Sequence, residues 1–149
     1  MIDAHAESLL EYALIYAAGG WPVFPLHYPT IDDECSCGDP IAPANKADRI
    51  EGLKYCASPA KHPMTSDGFK SATCDEAQIR RWWKQWPSAN IGLPTGAHSF
   101  IVIDVDPRHG GDESLMELLR VNGGFDEVIS ARTGSGGQHF LFAHPGWKV

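Results

Sequence analysis

The sequence lacks the features that would place it in a membrane or a secreted fold. No apolar run approaches the roughly 20 residues needed to cross a bilayer, and the N-terminal Met-Ile-Asp-Ala-His-Ala-Glu lacks the basic start of a secretory signal. Its 149 residues include only four cysteines, unevenly spaced. These absences predict a cytoplasmic protein with no membrane partner, in which cysteines bind metal or are simply buried.

Positive charge is also scarce. Twelve lysines and arginines stand against 19 aspartates and glutamates, which gives a net charge of −7. Proteins that bind nucleic acid without sequence preference usually carry a basic surface. Arg80, Arg81 and Lys84 form a local basic group, but a solvated helix face is its expected role. A nucleic-acid partner therefore has to be argued from motifs, against the overall charge.

What the chain does contain is typical of one compact domain, with 43% hydrophobic and 21% charged residues. Apolar spacing predicts helices over residues 4–18, from a Thr73–Glu76 capping box to Pro87, and after a cap at Asp112. Strands are predicted at 21–26, 90–93, 100–105, 127–131 and 138–142. The strand at 100–105 is apolar on both faces, which indicates a central, buried position. This order predicts a mixed α/β (α+β) fold in a single domain, with helices flanking a mixed sheet.

Residues 27–69 lose all periodicity, and so long a structureless stretch is unusual in a small domain. Its three cysteines and one of its histidines make a tetrahedral zinc set: Cys35, Cys37, Cys56 and His62. Zinc would also supply folding energy where no hydrophobic core exists. His27 and Cys74 are rival ligands, and reduced cysteines in a mobile loop are the alternative. We expect a zinc-binding loop inserted in the domain.

Asp104 and Asp106 close the strongest predicted strand. Residues two apart on a strand point the same way, so both carboxylates should emerge from one face. Two such carboxylates can share the pair of divalent ions used in nucleotidyl transfer. A strand that simply runs into an acidic turn would look the same, and Asp-x-Asp is also the pattern of sugar-nucleotide glycosyltransferases.

A glycine-rich segment, Thr-Gly-Ser-Gly-Gly-Gln-His from Thr133 to His139, joins the last two predicted strands. Its glycines would allow close approach to a ligand and leave amides free for an anion. Ser135 adds a hydroxyl, and His139 could donate to a phosphate oxygen. Alone, the segment would be a hairpin with a core histidine. With the carboxylate pair, it is a candidate triphosphate cradle.

Three tryptophans, Trp82, Trp83 and Trp86, follow at helical spacing. Their rings could stack on bases. Their spacing is that of one helical stripe, however, so a buried core role is expected for all three.

Several motifs together resemble the bifunctional DNA primase/polymerase N-terminal domain of the archaeo-eukaryotic primase superfamily. Its opening strand is similar to residues 20–26, and its Gly-Lys-His-Pro element is similar to residues 60–63, with Ala60 in place of glycine. The remaining matches follow in order: the helix start and tryptophan pair at 71–83, then 90–96, 103–107 with Gly110 and Gly111, and 133–139.

The resemblance implies a catalytic role for specific residues. Asp104 and Asp106 would bind Mg²⁺ or Mn²⁺, and His139 with Ser135, Gly136 and Gly137 would contact the phosphates of the incoming nucleotide. The partners implied are a DNA template and primer, nucleoside triphosphates, and a fused or associated helicase in plasmid, phage or mobile-element replication. Some members also carry a comparable Cys-x-Cys zinc loop.

One departure from the family pattern affects the expected activity. The family places a third acidic ligand on a strand after the histidine motif, whereas Asp112 and Asp126 precede His139 and do not match. We therefore expect a C-terminally truncated domain with weak or absent polymerase activity by itself. A non-catalytic primase-like module that binds nucleic acid and a glycosyltransferase are the alternatives.

Overall fold

The computed structural model describes residues 8–32, 34–96, 99–126, 128–134 and 136–146. Within these residues it contains the following helices and strands: α1 (Leu9–Ala18), β1 (Phe24–Leu26), α2 (Glu76–Gln85), β2 (Asn90–Gly92), β3 (Phe100–Val105), α3 (Gly111–Asn122), β4 (Ile129–Arg132) and β5 (Gln138–Ala143). The chain divides into two compact units, Met1–Pro94 and Thr95–Val149. The predicted mixed α/β class is confirmed, and the single domain stays a prediction.

The first unit is built on the packing of α1 against α2. Its buried core is formed by small and bulky apolar side chains: Ala13, Ala17, Val23, Ile79, Trp83 and Ala89. The Trp83 indole N–H donates to the carbonyl oxygen of Ala89 at 3.1 Å, which satisfies its only polar atom. Beside this core β1 pairs antiparallel with β2. Gly92 is needed there, because a Cβ would lie 2.6 Å from the Phe24 ring.

Both helices of this unit begin differently from the prediction. A capping box fixes the start of α1, where the Ser8 hydroxyl accepts from the Glu11 N–H and the Glu11 carboxylate accepts from the Ser8 N–H. The capping box predicted at Thr73 is wrong, since Asp75 caps α2 by accepting from the Ala77 N–H. Thr73 instead exchanges backbone hydrogen bonds with Val23, which holds it in an extended conformation.

The tryptophan stripe is only partly core. Trp83 is 3% exposed, whereas Trp82 and Trp86 are half-buried and line an open pocket. The reason is helical geometry: residues four apart share one side of a helix, and Trp83 lies on another side with Ile79.

The second unit is a three-stranded antiparallel sheet with strand order β3-β5-β4. Two separate antiparallel sheets thus replace the expected mixed sheet among the described residues. β3 is an edge of its sheet rather than its centre, because β5 follows the glycine hairpin from β4 and pairs with β3 on its other side. Only Phe100 and Val105 of β3 are buried.

Helix α3 starts one residue after a tight turn that follows β3. Gly110, with a φ of 74°, is its N-cap, so the cap predicted at Asp112 is wrong and that residue lies in the first turn. Gly111 is required by close packing, since a Cβ there would lie 2.6 Å from the Asp106 backbone nitrogen. None of the helices in the described ranges is long and apolar enough to cross a membrane.

The fully buried Ile79 is the sharpest test of the first unit's core. We expect Ile79→Ala to lower the free energy of unfolding by about 2–5 kcal/mol, because it removes methyl groups from an enclosed site. Urea unfolding followed by tryptophan fluorescence would measure it. Ile31→Ala is the control, because Ile31 is 100% exposed and should change stability by less than about 0.5 kcal/mol. Equal losses in both variants would contradict the core described here.

Candidate functional site

Three cysteines and one histidine converge in the aperiodic segment of the first unit: Cys35, Cys37, Cys56 and His62. Their ligand atoms all lie within 4.8 Å of one another. The His62 Nε2 is 3.4 Å from the Cys35 Sγ and 3.5 Å from the Cys56 Sγ. Within the part of the chain that the structure describes, no other group of three such side chains converges in this way. The donor set is the one that tetrahedral zinc prefers, so this cluster could hold zinc.

Isolated backbone pairings bring these four residues together. Pro29 pairs with Cys35, Ile41 with Cys56, and Leu26 of β1 with Pro63. Cys56 also donates its N–H to the Pro40 carbonyl at 2.8 Å. The ligand-bearing turns are therefore tied to one another and to the end of β1, without a hydrophobic core of their own.

The two rival ligands lie outside the cluster. Cys74 is exposed. The His27 ring stacks on the His62 ring at a centroid separation of 4.2 Å, and its Nδ1 lies 2.9 Å from the Ser36 hydroxyl. His27 thus supports the orientation of His62 from outside, a role that residue type and spacing alone did not reveal.

The thiols of the cluster differ in acidity. Burial disfavours the Cys35 thiolate, but hydrogen bonds from the Ala60 N–H, from Cys37 and from His62 outweigh it and lower the pKa of Cys35 to about 6. Burial and the neighbouring Cys35 and Cys37 raise the pKa of Cys56 to about 11. A second thiolate is therefore costly here, and a bound cation would offset that cost.

Ala60 holds an unusual backbone conformation beside this cluster. Its φ is 57°, and it is the one positive-φ residue other than glycine in the described ranges. Its N–H donates to the Cys35 Sγ at 3.3 Å, and its carbonyl accepts from the Asn90 side chain at 3.2 Å. This is the position where the resembled element carries glycine, which adopts this conformation without strain.

In the second unit, strand pairing places Asp104 opposite His139. The His139 Nε2 lies 3.3 Å from an Asp104 carboxylate oxygen, and the side chains are 43% and 66% exposed. Asp104 and Asp106 both line one open pocket of about 260 Å³ between β3 and α3. Ile103 and Val105 line the same pocket, so the shared face of the two carboxylates stays a prediction.

Asp106 is already held by two basic residues that sequence reasoning missed. The Arg108 guanidinium donates to both of its carboxylate oxygens, at 3.0 and 2.8 Å, and the His109 Nδ1 lies 3.1 Å away. The hydrogen bond from Arg108 holds the pKa of the Asp106 carboxyl well below its usual range. In the sequence, Arg108 and His109 directly follow Asp106-Pro107. The short turn that they form keeps both residues close to the Asp106 carboxylate.

The glycine loop closes on itself more tightly than expected. The Gly136 N–H donates to the Thr133 carbonyl and the Gly137 N–H to the Thr133 hydroxyl, so neither amide is left for an anion. Gly137 matters for another reason: a Cβ there would collide with the Val105 carbonyl oxygen. Ser135 lies outside the described residues.

The strain at Ala60 can be tested by a single substitution. We expect Ala60→Gly to raise the free energy of unfolding by about 0.5–1 kcal/mol, since glycine relieves the left-handed conformation and loses part of that gain through its greater freedom when unfolded. Chemical denaturation measures the change. Ala47→Gly is the control, because Ala47 lies in a short 3-10 helix and should lose about 0.5 kcal/mol. A comparable loss at Ala60 would contradict the assignment.

One protein family matches most of the chain. The family model described as "Bifunctional DNA primase/polymerase, N-terminal" matches residues 13–149. Neither curated proteins nor solved structures give a match. The match covers both units, including the cysteine-histidine cluster and the Asp104–His139 pair. This chain belongs to the bifunctional DNA primase/polymerase N-terminal family.

Proposed function

We propose that this chain is the nucleotidyl-transfer domain of a template-directed DNA primase and DNA polymerase, in the replication of a plasmid, phage or mobile element, with weak or absent polymerase activity by itself. The family supports primase/polymerase chemistry with DNA and nucleotides as substrates. The observation that carries the proposal is the convergence of Asp104 and Asp106 on one pocket, with His139 directly against Asp104. Family membership also disfavours the glycosyltransferase alternative.

Asp104 and Asp106 would hold the catalytic Mg²⁺ or Mn²⁺. Their carboxylate oxygens are the ligands these ions prefer, and each carboxylate now faces a cationic or hydrogen-bonding partner, which shows that the pocket accommodates a positive group beside it. When bound, the ions would stabilise negative charge on the attacking and leaving oxygens. Among the described residues, neither Asp112 nor Asp126 lines this pocket as a third acidic ligand.

Arg108 would then serve as a stand-in cation for Asp106, while His109 lies against the same carboxylate. Asp106 gives Arg108 its main stabilising hydrogen bond, and the nearby Asp104 charge adds to it, so both raise the pKa of Arg108. Asp106 would have to release this guanidinium in order to use the same carboxylate oxygens as metal ligands. Arg108 is 64% exposed, so it is free to turn toward the nucleotide's triphosphate.

His139 is the proposed phosphate contact, since it lies beside Asp104 and stays partly exposed. Gly136 and Gly137 would shape the hairpin that presents it, and Ser135 remains a proposed contact. In the reaction the primer 3′-hydroxyl oxygen bonds to the α-phosphorus and loses its proton to solvent. The bond from that phosphorus to the bridging oxygen breaks, and pyrophosphate leaves. A helicase, fused or associated, would supply the unwound template.

The carboxylates can be tested through nucleotide binding, which does not require full activity. We expect dATP to raise the melting temperature of the chain only when Mn²⁺ is present. Asp104→Asn and Asp106→Asn should each weaken this binding by more than about ten-fold, because each removes a charged metal ligand. A thermal-shift titration with dATP measures the effect, and primer extension in Mn²⁺ is scored in parallel.

Asp126→Asn is the matched control, because Asp126 is exposed and does not line the pocket that contains Asp104 and Asp106. It should bind dATP like the parent chain. If the Asn variants at 104 and 106 also keep Mn²⁺-dependent binding, the assigned metal ligands are wrong. If the parent chain binds DNA but no nucleotide in any metal, the non-catalytic module is the correct reading instead.

We further propose that the cysteine-histidine cluster binds a structural zinc ion. The ligand atoms already lie close together, and the segment has no core to order it otherwise. Zinc would stabilise the thiolates that burial disfavours, and thereby hold the ligand-bearing turns together.

The zinc proposal predicts one zinc ion per purified chain by elemental mass spectrometry. Cys56→Ser should lose most of it, because one of the four ligands is removed and a serine oxygen is a poor substitute. Cys74→Ser provides the control, since Cys74 is exposed and outside the cluster, and should keep full occupancy. Parent protein with well under one zinc per chain would refute the assignment.

A further inference from the structure

An open pocket of about 540 Å³ lies in the first unit along one side of α2. Two tryptophans, Trp82 and Trp86, form part of its wall. The rest of the wall is mostly polar, with hydroxyl, carboxylate and amide side chains: Thr65, Ser66, Ser71, Thr73, Asp75 and Gln78. Aromatic rings beside hydrogen-bonding groups are characteristic of ligand sites rather than of a core edge.

The two indoles differ from the buried Trp83 between them. Trp83 is enclosed, and its N–H is satisfied by Ala89. Trp82 and Trp86 pack one edge on the core but remain half-buried, and within the described ranges their indole N–H groups donate to no protein atom. Trp82 lies in the last turn of α2, and Trp86 is the C-cap of that helix. Two ring surfaces are thus available to a ligand.

Positive charge borders this wall. The Arg80 charge is neutralised by Glu76 at 2.7 Å. The Arg81 guanidinium instead donates to the neutral Gln78 amide oxygen at 2.7 Å, beside the pocket, so its charge is uncompensated.

We infer that this pocket binds a base of single-stranded DNA, with the base against Trp82 and Trp86 and the phosphodiester beside Arg81. The identity of the polymer rests on family membership, whereas the geometry is independent of the metal site in the second unit. Bases of any sequence present a flat π face to an indole. Ser71 and Asp75 can donate to and accept from the base edge. Arg81 can contact the phosphodiester next to that base, since its guanidinium lies against Gln78 in the pocket wall.

Binding of a fluorescein-labelled oligothymidylate of about ten nucleotides tests this, by anisotropy without added Mg²⁺ or Mn²⁺. Trp82→Leu keeps an apolar side chain against the core but removes the ring, and should weaken binding about five-fold or more. Trp82→Phe should retain most of the affinity. Arg81→Gln should reduce the slope of log affinity against log salt by about 0.7, the value for one lost contact to single-stranded phosphate.

Arg80→Gln is the matched control, since that arginine is neighbouring but already paired, and its salt slope should match the parent's. Omitting Mg²⁺ and Mn²⁺ from the assay separates this inference from the proposed catalytic site. Each variant is first checked for parental zinc content and unfolding midpoint. Equal affinity of Trp82→Leu and parent, or equal binding of an abasic strand, would overturn the inference. The inference would also be overturned if a neutral oligosaccharide quenched the tryptophan fluorescence and the oligonucleotide did not.

Discussion

Close backbone approach at the end of β3 is the constraint on which the candidate active site depends. Gly111 brings the start of α3 against the Asp106 backbone, and its N–H donates to the Asp106 carbonyl at 3.0 Å. Gly137 brings the hairpin against the Val105 carbonyl from the other strand. Any side chain at either glycine would force these elements apart. These close backbone contacts hold the end of β3 against α3 and against the hairpin that carries His139. The carboxylates and His139 lie near one another for that reason.

Each unit brings several ionisable side chains close together, but the chemical groups differ between the two. In the first, sulfur atoms of unequal acidity crowd around an imidazole. In the second, Asp106 forms an ion pair with Arg108, and His109 and His139 lie beside the two carboxylates. Concentrated negative charge is costly unless a counter-charge is near. Arg108 meets that need for Asp106, whereas the sulfur cluster has hydrogen bonds and the charge of Lys54 near Cys37 and Cys56.

Sequence reasoning succeeded where residue type and local periodicity decide the outcome. The strand at 100–105 and the convergence of the cysteines with His62 both follow from such local signals. It failed where tertiary pairing decides. Thr73 pairs with Val23 and so cannot cap a helix, and β3 is an edge because β5 lies between it and β4. Helical spacing shows which residues share one side of a helix, but it does not show which side packs against the core. The spacing therefore predicted a core position for Trp82, which is only half-buried.

The left-handed Ala60 has a consequence for how the cysteine loop moves. A non-glycine residue in that conformation carries about 1–2 kcal/mol of strain, held here by the bonds of its amide and carbonyl to Cys35 and Asn90. That strain is released whenever the segment detaches locally. It therefore favours the detached state by roughly 5–30-fold, and amide hydrogens of the cysteine loop should exchange with solvent through partial opening, well before the α1–α2 core unfolds.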